Sequence, residues 1–315
     1  MLLLDFKSII STDENEAHFL RLAQKYMVDL NDCEESVFLA ENSCISPINQ
    51  LLSSTVNRIV HKVSHAIASL RRQYIHFPET PEEIRLNQLH FYRRAKFPRV
   101  VDAIDFTHVK LWQSPGGDTA ERFRNRKGFY SLNIQAIYNV NLEIMDVVAR
   151  YDGSTRDSRI FRESIRRALF EQGVYGNAVL VGDSGYASAS YMMIPLQDCH
   201  TPAEQLYNES QIRTRNVIER FFRDWKRRFP VMAVGSRMQL IRVFPIITAT
   251  LILHNIVRRF RDEVPSELEI TLPAPWEELL AQDDIQINYI PIPTNRRVTE
   301  QNSGRQMLID GHFER

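Results

Sequence analysis

A short apolar segment that runs into a glycine-flanked acid constrains the fold of this chain more than any other feature. Residues 178–181 carry no polar side chain, and Gly182, Asp183 and Gly185 follow them. A strand of this kind lies inside a sheet, with other elements covering both of its faces. The segment therefore predicts an α/β protein. It also places Asp183 at the carboxyl end of a central strand, where glycines allow a tight turn.

Other periodic segments predict the remainder of this sheet. Residues 100–106 are mostly apolar and include Asp105 near their end, residues 132–138 alternate between apolar and polar side chains, and residues 144–149 return after a turn. These patterns predict three strands, the last two joined as a hairpin. Apolar residues at helical spacing predict helices at residues 157–170, 209–229 and 240–261. The order is compatible with an RNase H-like mixed sheet flanked by helices, although several other α/β folds share it.

The region before the first strand predicts a small helical domain at residues 46–96. Apolar side chains recur at helical spacing between Val56 and Leu70, and a shorter helix around residues 47–52 precedes them. The opposite face of the longer helix carries basic side chains: Arg58, His61, Lys62 and His65. Two short helices with a basic second helix are typical of a helix-turn-helix. An ordinary helical hairpin packed on the main domain explains the same pattern at least as well.

The charged residues are distributed so that a basic body lies between acidic ends. The formal net charge is zero, but residues 46–261 hold 32 bases and 19 acids. The acidic ends predict an N-terminal segment at residues 1–45, with one helix at 18–30, and an extended or disordered, proline-containing tail at 262–315. Residues 97–261 remain as the main domain. A basic body suits binding to a phosphate backbone, and solvated helix faces explain the same arginines.

The sequence also disfavours several classes of protein. The three cysteines, Cys33, Cys44 and Cys199, are far apart, which argues against a disulfide framework or a cysteine zinc site and suits a reducing compartment. The N-terminus lacks the pattern of a secretory signal. The longest apolar run, at residues 243–253, is too short to span a bilayer and predicts a buried helix instead.

Two acids at strand ends and one on a helix are the candidates for chemistry. Asp105 and Asp183 each end a predicted strand, and sites in open α/β sheets gather beyond the carboxyl ends of strands. Two adjacent carboxylates repel each other unless a cation lies between them, and hard oxygen ligands suit Mg²⁺ or Mn²⁺. Glu219 lies at the border of the apolar stripe of its helix. Arg215 and Arg223, one turn away on either side, explain Glu219 more simply as a partner in helix-face ion pairs.

Six segments occur in a fixed order across residues 74–260: FPRVVDAIDFTHVKL (97–111), NRKGFYSLNIQAIY (125–138), DGSTRDSRIFRES (152–164), LVGDSGY (180–186), YNESQIRTRNVIERFFRDWKRRFP (207–230) and LHN (253–255). They resemble, in turn, the first-aspartate, arginine–lysine–glycine, histidine–aspartate–serine, second-aspartate, glutamate-helix and closing segments of PIF/Harbinger-type DDE transposases. Each segment alone is weak evidence for this family, but the six segments together, in this order, are specific to it. The 35 residues between Asp183 and Glu219 are the spacing typical of that family's last two acids.

The resemblance implies that Asp105, Asp183 and Glu219 are catalytic acids that bind divalent metal in an RNase H-like DDE domain. It implies a nuclease or transposase-derived nuclease that hydrolyses DNA phosphodiester bonds with two metal ions. It also implies a separate Myb/SANT-like DNA-binding partner, and this function suggests a location in the nucleus, with the cytoplasm as a second site. Basic side chains predicted to contact DNA phosphates are Arg122, Arg124, Arg126, Lys127, Arg213, Arg215, Arg220, Lys226, Arg227 and Arg228.

Departures from the family pattern favour a second interpretation. Arg156 stands where the family usually has histidine, Arg223 where the glutamate helix usually has glycine, and Ile194 where threonine is usual before proline. Arg223 puts a bulky cation one turn from Glu219 and could hold that carboxylate. The alternative is therefore a domesticated, catalytically weak or inactive protein that binds DNA or acts with the Myb/SANT-like partner.

Three further residues lie near the candidate acids in the sequence. Asp157 rivals Asp183 as the second acid, although capping the helix that it opens is a sufficient role. His108 is a candidate general acid or DNA contact. Asp102 is an odd number of strand positions from Asp105, so its side chain is expected on the opposite face of the sheet.

Overall fold

A five-stranded mixed sheet forms the centre of the protein, in a computed structural model that describes residues 47–260 and 303–314. Its strands are β1 (Val100–Lys110), β2 (Ser131–Tyr138), β3 (Ile144–Asp152), β4 (Val179–Val181) and β5 (Met192–Met193). Their order is β3-β2-β1-β4-β5. The β1–β2 and β2–β3 pairs are antiparallel, while the β1–β4 and β4–β5 pairs are parallel.

Helices flank this sheet. They are α1 (Pro47–Ala68), α2 (Arg71–Tyr74), α3 (Pro81–Ala95), α4 (Asp157–Arg162), α5 (Ile165–Glu171), α6 (Pro202–Arg228), α7 (Val231–Val234), α8 (Leu240–Arg259) and α9 (Ser303–Leu308). A 3₁₀ helix at Ala120–Phe123 and a π-helical turn at Ile309–Phe313 are also present.

Buried apolar side chains lie on both faces of the sheet, because successive residues of a strand point to opposite sides. Ala103 of β1 belongs to a large apolar cluster that includes side chains of α6 and α8. Its neighbour Ile104 belongs to a smaller cluster with Phe161 of α4 and Phe170 of α5. All three residues of β4 are buried. The prediction of a mixed α/β sheet flanked by helices, consistent with an RNase H-like fold, is therefore confirmed.

The buried helix predicted from the apolar run is α8. By length and composition α8 is sufficient to cross a membrane, but 67% of its most apolar window is buried inside the protein. Asn255 accepts a hydrogen bond from the N–H of Ile144 at 2.7 Å and donates to the carbonyl oxygens of Ile144 and Tyr74 at 2.8 and 2.9 Å. His254 Nε2 lies 3.0 Å from the carbonyl oxygen of Leu142. The closing LHN segment therefore fastens α8 to the β2–β3 hairpin and to the end of α2.

Three helices differ from their predicted form. Residues 47–68 make one continuous helix, α1, which packs against α8. The two short helices predicted here, whether as a helix-turn-helix or as a helical hairpin, are therefore wrong. The helix predicted at residues 157–170 is split into α4 and α5, because Ser164 Oγ accepts a hydrogen bond from the N–H of Arg167 and caps α5. Helix α6 begins at Pro202 rather than at residue 209, because Thr201 and Glu204 form a capping box at its start.

The end of the chain also corrects a prediction. Within residues 303–314 the acidic tail is helical and packed: Leu308, Ile309 and Phe313 are buried, and the Phe313 ring lies 5.8 Å from the rings of Phe97 and Tyr207. The prediction from charge overlooked these apolar side chains, which gain free energy by leaving water. Other predicted segments lie outside the described residues: the acidic segment 1–45, its helix at 18–30, and the tail at 262–302.

Candidate active site

The pairing of β1 with β4 brings Asp105 and Asp183 together. The two strands are parallel, and Ala103 pairs with Val181. Asp105 and Asp183 each follow that pair by two residues, so their side chains point to the same face at the same level of the sheet. Since neighbouring strands lie about 4.8 Å apart, two carboxyl groups distant in sequence become neighbours in space.

Both carboxyl groups have a raised pKa. The pKa of Asp105 is raised to about 7, chiefly by burial and next by the charge of Asp183, while the Arg215 guanidinium acts in the opposite direction. Burial also raises the pKa of Asp183, against the effects of Arg215 and of the Gly185 N–H, which donates to Asp183 Oδ1 at 3.0 Å. Full ionisation of the pair is therefore unfavourable unless further positive charge is supplied.

A hydrogen bond holds helix α6 against the end of β4. Gln211 Nε2 donates to the carbonyl oxygen of Gly182 at 2.8 Å, and the Gln211 side chain is fully buried. Arg215 follows one helical turn later and Glu219 one turn after that. Helical spacing thus brings the backbone of Glu219 to the same side of α6. The side chain of Glu219 lies outside the described side chains, so its contact with the two aspartates stays a prediction.

Asp157 is a third acid near the pair, held by polar side chains of β2. Asn133 Nδ2 donates to Asp157 Oδ1 at 2.9 Å. The pKa of Asp157 is raised to about 7, chiefly by burial; the Asn133 hydrogen bond lowers it and the charge of Asp183 raises it. Arg156 occupies the N-cap position of α4, and no side chain caps that helix. Asp157 is the first residue of α4 rather than its N-cap, and its carboxylate accepts hydrogen bonds from Asn133 and from its own N–H.

Four polar side chains near the acids were missed in the sequence. Gln211 contacts the end of β4, while Asn133, Gln135 and Tyr186 lie around Asp157, with Asn133 and Gln135 on the same face of the sheet as His108. Every residue of β2 is buried, including its polar alternate positions. Gln135 Nε2 donates to the Tyr186 hydroxyl at 3.2 Å, and burial beside the acids raises the pKa of Tyr186 well above its usual value. The sequence signal for Asn133 and Gln135 was the presence of polar side chains in β2, a strand that lies between β3 and β1. Gln211 had no signal beyond its place on α6.

Asp102 and His108 lie on the other face of β1 from Asp105. Each is three positions from Asp105, an odd spacing that reverses the direction of the side chain. Asp102 is fully buried and accepts a hydrogen bond from Asn87 Nδ2 at 3.3 Å, so its expected orientation is confirmed. His108 Nδ1 lies 3.1 Å from Ser131 Oγ. His108 is therefore not part of the group formed by Asp105 and Asp183.

The basic side chains predicted to contact DNA differ in accessibility. Lys226 and Arg228 are 3% and 1% exposed, so the prediction that they lie on a phosphate backbone is wrong for this structure: α6 turns both side chains into the protein. Arg215 and Arg227 are partly buried. The side chain of Arg220 lies outside the described side chains. The exposed members of the set are Arg122, Arg124, Arg126, Lys127 and Arg213.

Some of the exposed basic residues already have acidic partners. Arg124 Nε donates to Glu121 at 2.8 Å, Arg122 lies 3.3 Å from Asp152, and Arg213 pairs with Glu209. Exposed ion pairs of this kind contribute little to stability and can open when a phosphate competes for the cation.

The donor chemistry of the acid pair fits a divalent cation. Carboxylate oxygens are the ligands that Mg²⁺ and Mn²⁺ prefer, and the raised pKa of Asp105 indicates a site short of positive charge. Within the described side chains, no group of three or more histidine, cysteine, aspartate or glutamate residues has the arrangement of a metal cluster. Glu219 on α6 stays the predicted third acidic ligand, and its side chain lies outside the described side chains.

Comparisons with known proteins match the region of the chain that contains the candidate acids. The family model for DDE superfamily endonucleases matches residues 104–255. The HARBI1 protein of Rattus norvegicus, whose name describes it as a candidate nuclease, is 30% identical over 264 residues, which are 82% of this chain and 72% of the relative. HARBI1 of Bos taurus is 31% identical over 207 residues, 64% of this chain, which spans 58% of that relative.

A plant protein is a more distant relative. The protein ALP1-like of Arabidopsis thaliana is 23% identical over 228 residues, which cover 67% of this chain and 55% of the relative. No solved structure matches the chain significantly. The matched segment contains both Asp105 and Asp183 and the part of α6 that carries Glu219. These matches show that the chain belongs to the DDE superfamily of endonucleases, together with the harbinger transposase-derived nucleases of the HARBI1 group.

Proposed function

We propose that this chain hydrolyses phosphodiester bonds in DNA at Asp105 and Asp183, with Glu219 as the third acid and Mg²⁺ or Mn²⁺ as the cofactor. One observation carries the proposal: parallel pairing of β1 with β4 puts two carboxyl groups side by side in surroundings that raise the pKa of each. Membership of the DDE endonuclease superfamily supports the same reaction class.

The residues of the site have distinct tasks in this reaction. Asp105 and Asp183 provide oxygen ligands, and each must lose its proton before it can hold a cation. The N–H groups of Phe106 and Gly185 donate to Oδ1 of Asp105 and Asp183 at 2.8 and 3.0 Å, which orients both carboxylates. When bound, divalent cations make water nucleophilic at neutral pH and stabilise the leaving oxygen.

Basic side chains position the DNA in this proposal. Arg126 and Lys127 are exposed on the loop that leads into β2, and Arg215 lies close enough to both acids to lower the pKa of each. A phosphate between these cations and the acid pair would be held by charge rather than by base identity. Selection of a target sequence would then depend on another part of the chain or on a partner.

A non-catalytic DNA-binding protein is the second candidate function. The observation that favours it is the position of Arg215, whose guanidinium already supplies positive charge to Asp105 and Asp183. A resident cation on α6 weakens the demand of the acid pair for metal. In this candidate the chain retains the fold and its affinity for DNA but cuts slowly or not at all.

The partner proposed for either function is a Myb/SANT-like DNA-binding protein, and the proposed place of action is the nucleus. Charge supports such a partner: residues 1–45 hold nine acids and three bases, and residues 262–315 hold 11 acids and four bases. Acidic segments of this kind attract a basic DNA-binding protein. Co-purification of a basic DNA-binding protein with the full chain, lost when residues 262–302 are removed, would support this assignment.

Metal binding is the measurement that separates the two functions. Calorimetry with MnCl₂ compares the unmodified protein, Asp183→Asn, and the control Asp198→Asn, which alters an exposed carboxylate outside the site. We expect binding in the unmodified protein and the control, and its loss in Asp183→Asn. Since the pKa of Asp105 is about 7, protons compete with metal below that value, so binding should be weaker at pH 6 than at pH 8.

Cleavage of plasmid DNA in the presence of Mn²⁺ then tests the reaction. Asp105→Ala and Asp183→Ala are each expected to abolish nicking without changing the melting temperature by more than a few degrees. Equal metal binding by Asp183→Asn and the unmodified protein, or normal nicking by both alanine variants, would end the assignment of the site. Absence of both metal binding and nicking in the unmodified protein would favour the non-catalytic candidate.

A further inference from the structure

An exposed aromatic ring lies beside two cations at the end of β1, away from the acid pair. Trp112 is 44% exposed. Lys110 Nζ lies 3.7 Å from the centroid of the Trp112 ring and 5.8 Å from that of Phe129. The guanidinium carbon of Arg237 lies 5.6 Å from the Trp112 centroid. These four residues, Lys110, Trp112, Phe129 and Arg237, form the Trp112 patch.

Backbone pairing brings the two sides of the Trp112 patch together. The N–H of Ser236 donates to the carbonyl oxygen of Lys110 at 2.9 Å, and the N–H of Trp112 donates to that of Ser236 at 3.0 Å. Gly235 makes this approach feasible: its φ is +100°, and an added Cβ would lie 2.7 Å from the Lys110 carbonyl oxygen. The segment between α7 and α8 is thus joined to β1, and Arg237 is held beside Trp112 by the main chain.

The chemistry of the Trp112 patch suits a ligand that is both planar and anionic. Partial burial lowers the pKa of the Lys110 ammonium group, and no carboxylate contributes to this shift among the described residues. An accessible indole ring offers a stacking surface, and cations beside it attract phosphate. A nucleotide has both features, since its base is planar and its phosphate is charged.

The Trp112 patch is continuous with the basic loop already assigned to DNA. The N–H of Leu111 donates to the carbonyl oxygen of Tyr130 at 2.8 Å, which joins the end of β1 to the chain that follows exposed Arg126 and Lys127. Lys110 is five strand positions from Asp105, an odd spacing, so the Trp112 patch lies toward the face of the sheet opposite to Asp105, at the end of β1.

We propose that the Trp112 patch is a stacking subsite for an unpaired nucleotide in the DNA substrate. The proposal rests on the proposed DNA-cutting function and extends it, because it adds a preference for DNA that contains a single-stranded segment. Bases inside a duplex have both faces covered by their neighbours. An exposed indole therefore stacks on an unpaired base, while Lys110 and Arg237 bind the adjacent phosphates.

Binding without metal tests the subsite independently of cleavage. A labelled single-stranded oligonucleotide and a blunt duplex of the same length are titrated in EDTA with the unmodified protein, Trp112→Ala and Trp112→Phe. We expect Trp112→Ala to weaken single-strand binding about five- to a hundredfold and to leave duplex binding unchanged. Trp112→Phe keeps a ring and should retain most of the affinity. Lys110→Gln and Arg237→Gln should each reduce the salt dependence of single-strand binding by about one phosphate contact.

Tryptophan fluorescence provides a second readout that does not require the alanine variant to fold. The chain has three tryptophans, and Trp112→Phe keeps both Trp225, which is fully buried, and Trp276. Quenching by the single strand that disappears in Trp112→Phe therefore reports stacking at Trp112. The subsite alone is overturned if Trp112→Ala binds the single strand as tightly as the unmodified protein and quenching persists in Trp112→Phe. In that case both DNAs still bind, and the proposed DNA-cutting function is unaffected. Equal quenching by polyglutamate overturns it in favour of an acidic peptide ligand. No binding of either DNA by any variant at low salt overturns the proposed function and the subsite together.

Discussion

At the residue scale, the surroundings of each buried carboxyl group determine its chemistry, so two acids that are close in sequence can differ in role. Asp102 and Asp105 are three residues apart on β1, yet Asp105 lies beside Asp183 and Asp102 lies against Asn87. Asp102 is 0% exposed, and its Oδ2 has no hydrogen-bond partner among the described residues. Burial raises the pKa of Asp102 well above its usual value, with Arg166 opposing the shift. Asp102 therefore destabilises the fold and is not a candidate metal ligand.

Replacement of Asp102 by asparagine should stabilise the protein at high pH. The folded state binds the Asp102 proton more tightly than the unfolded state does, so stability falls as pH rises above the unfolded pKa of about 3.9. The asparagine side chain has no such proton to lose. We therefore expect Asp102→Asn to melt a few degrees above the unmodified protein at pH 8 and at a similar temperature at pH 4, measured by calorimetric scans in EDTA.

The control for this prediction is Asp198→Asn, an exposed aspartate whose substitution should leave the melting temperature unchanged at both pH values. A melting temperature of Asp102→Asn at or below that of the unmodified protein at pH 8 would show that Asp102 is ionised and stabilised in the fold.

At the element scale, the position of α8 depends on polar side chains, chiefly Asn255, as well as on its apolar surface. Asn255 makes three hydrogen bonds, all with main-chain groups: two with Ile144 at the start of β3 and one with Tyr74 at the end of α2. The adjacent His254 is neutral, since burial lowers its pKa to about 3. One helix is thereby joined to a strand and to another helix at the same point.

Truncation of Asn255 should destabilise the protein strongly. Asn255→Ala removes a hydrogen bond from three buried main-chain groups. The Tyr74 carbonyl oxygen still accepts from Arg259 Nη2 at 3.3 Å. The N–H and carbonyl oxygen of Ile144, however, both lose the Asn255 side chain, and a buried polar group without a partner costs about 1–3 kcal/mol. We expect a loss of about 3 kcal/mol or more in the free energy of unfolding, measured by urea denaturation. Asn141→Ala, at an exposed asparagine in the β2–β3 turn, is the matched control and should change stability by about 0.5 kcal/mol or less. Similar midpoints for the two variants would contradict the role assigned to Asn255.

At the scale of the whole molecule, the last residues of the chain complete the core beside α6. Phe313 contacts the rings of Phe97, just before β1, and Tyr207 of α6. His312 lies 3.3 Å from the carbonyl oxygen of Lys96. Two segments more than 200 residues apart in sequence therefore meet against the helix that carries Gln211 and Arg215.

Removal of the Phe313 ring should show how much this contact stabilises the whole fold. We expect Phe313→Ala to lower the free energy of unfolding by about 3–5 kcal/mol, since a buried ring leaves a cavity. Met307→Ala, in the same segment but 68% exposed, is the matched control and should have an effect of about 0.5 kcal/mol or less. Equal denaturation midpoints for Phe313→Ala and the unmodified protein would mean that the segment does not dock in solution.

Local pattern in the sequence determined the type and place of most elements. Alternation predicted β2, apolar runs predicted β1, β4 and α8, and these predictions held because hydrophobic periodicity reflects which side of an element leaves water. The predicted position of Asp183 just beyond the end of β4 is confirmed. The prediction that Asp105 ends its strand is wrong, because β1 continues through pairing with β2 as far as Lys110 and leaves Asp105 in the middle of the strand. The family resemblance added Glu219, whose backbone position on α6 is compatible with that role.

Tertiary structure alone decided which residues meet. Only the β1–β4 register makes Asp105 and Asp183 neighbours, and only the packing of α6 buries Lys226 and Arg228 while it leaves Arg213 exposed. The single helix α1 and the docked end of the chain also depended on distant partners. Local sequence patterns do not contain these features, because burial and charge pairing depend on contacts between segments that are far apart in the chain. The same basic or acidic residue can lie in water or against an aromatic ring, and only those distant contacts decide which.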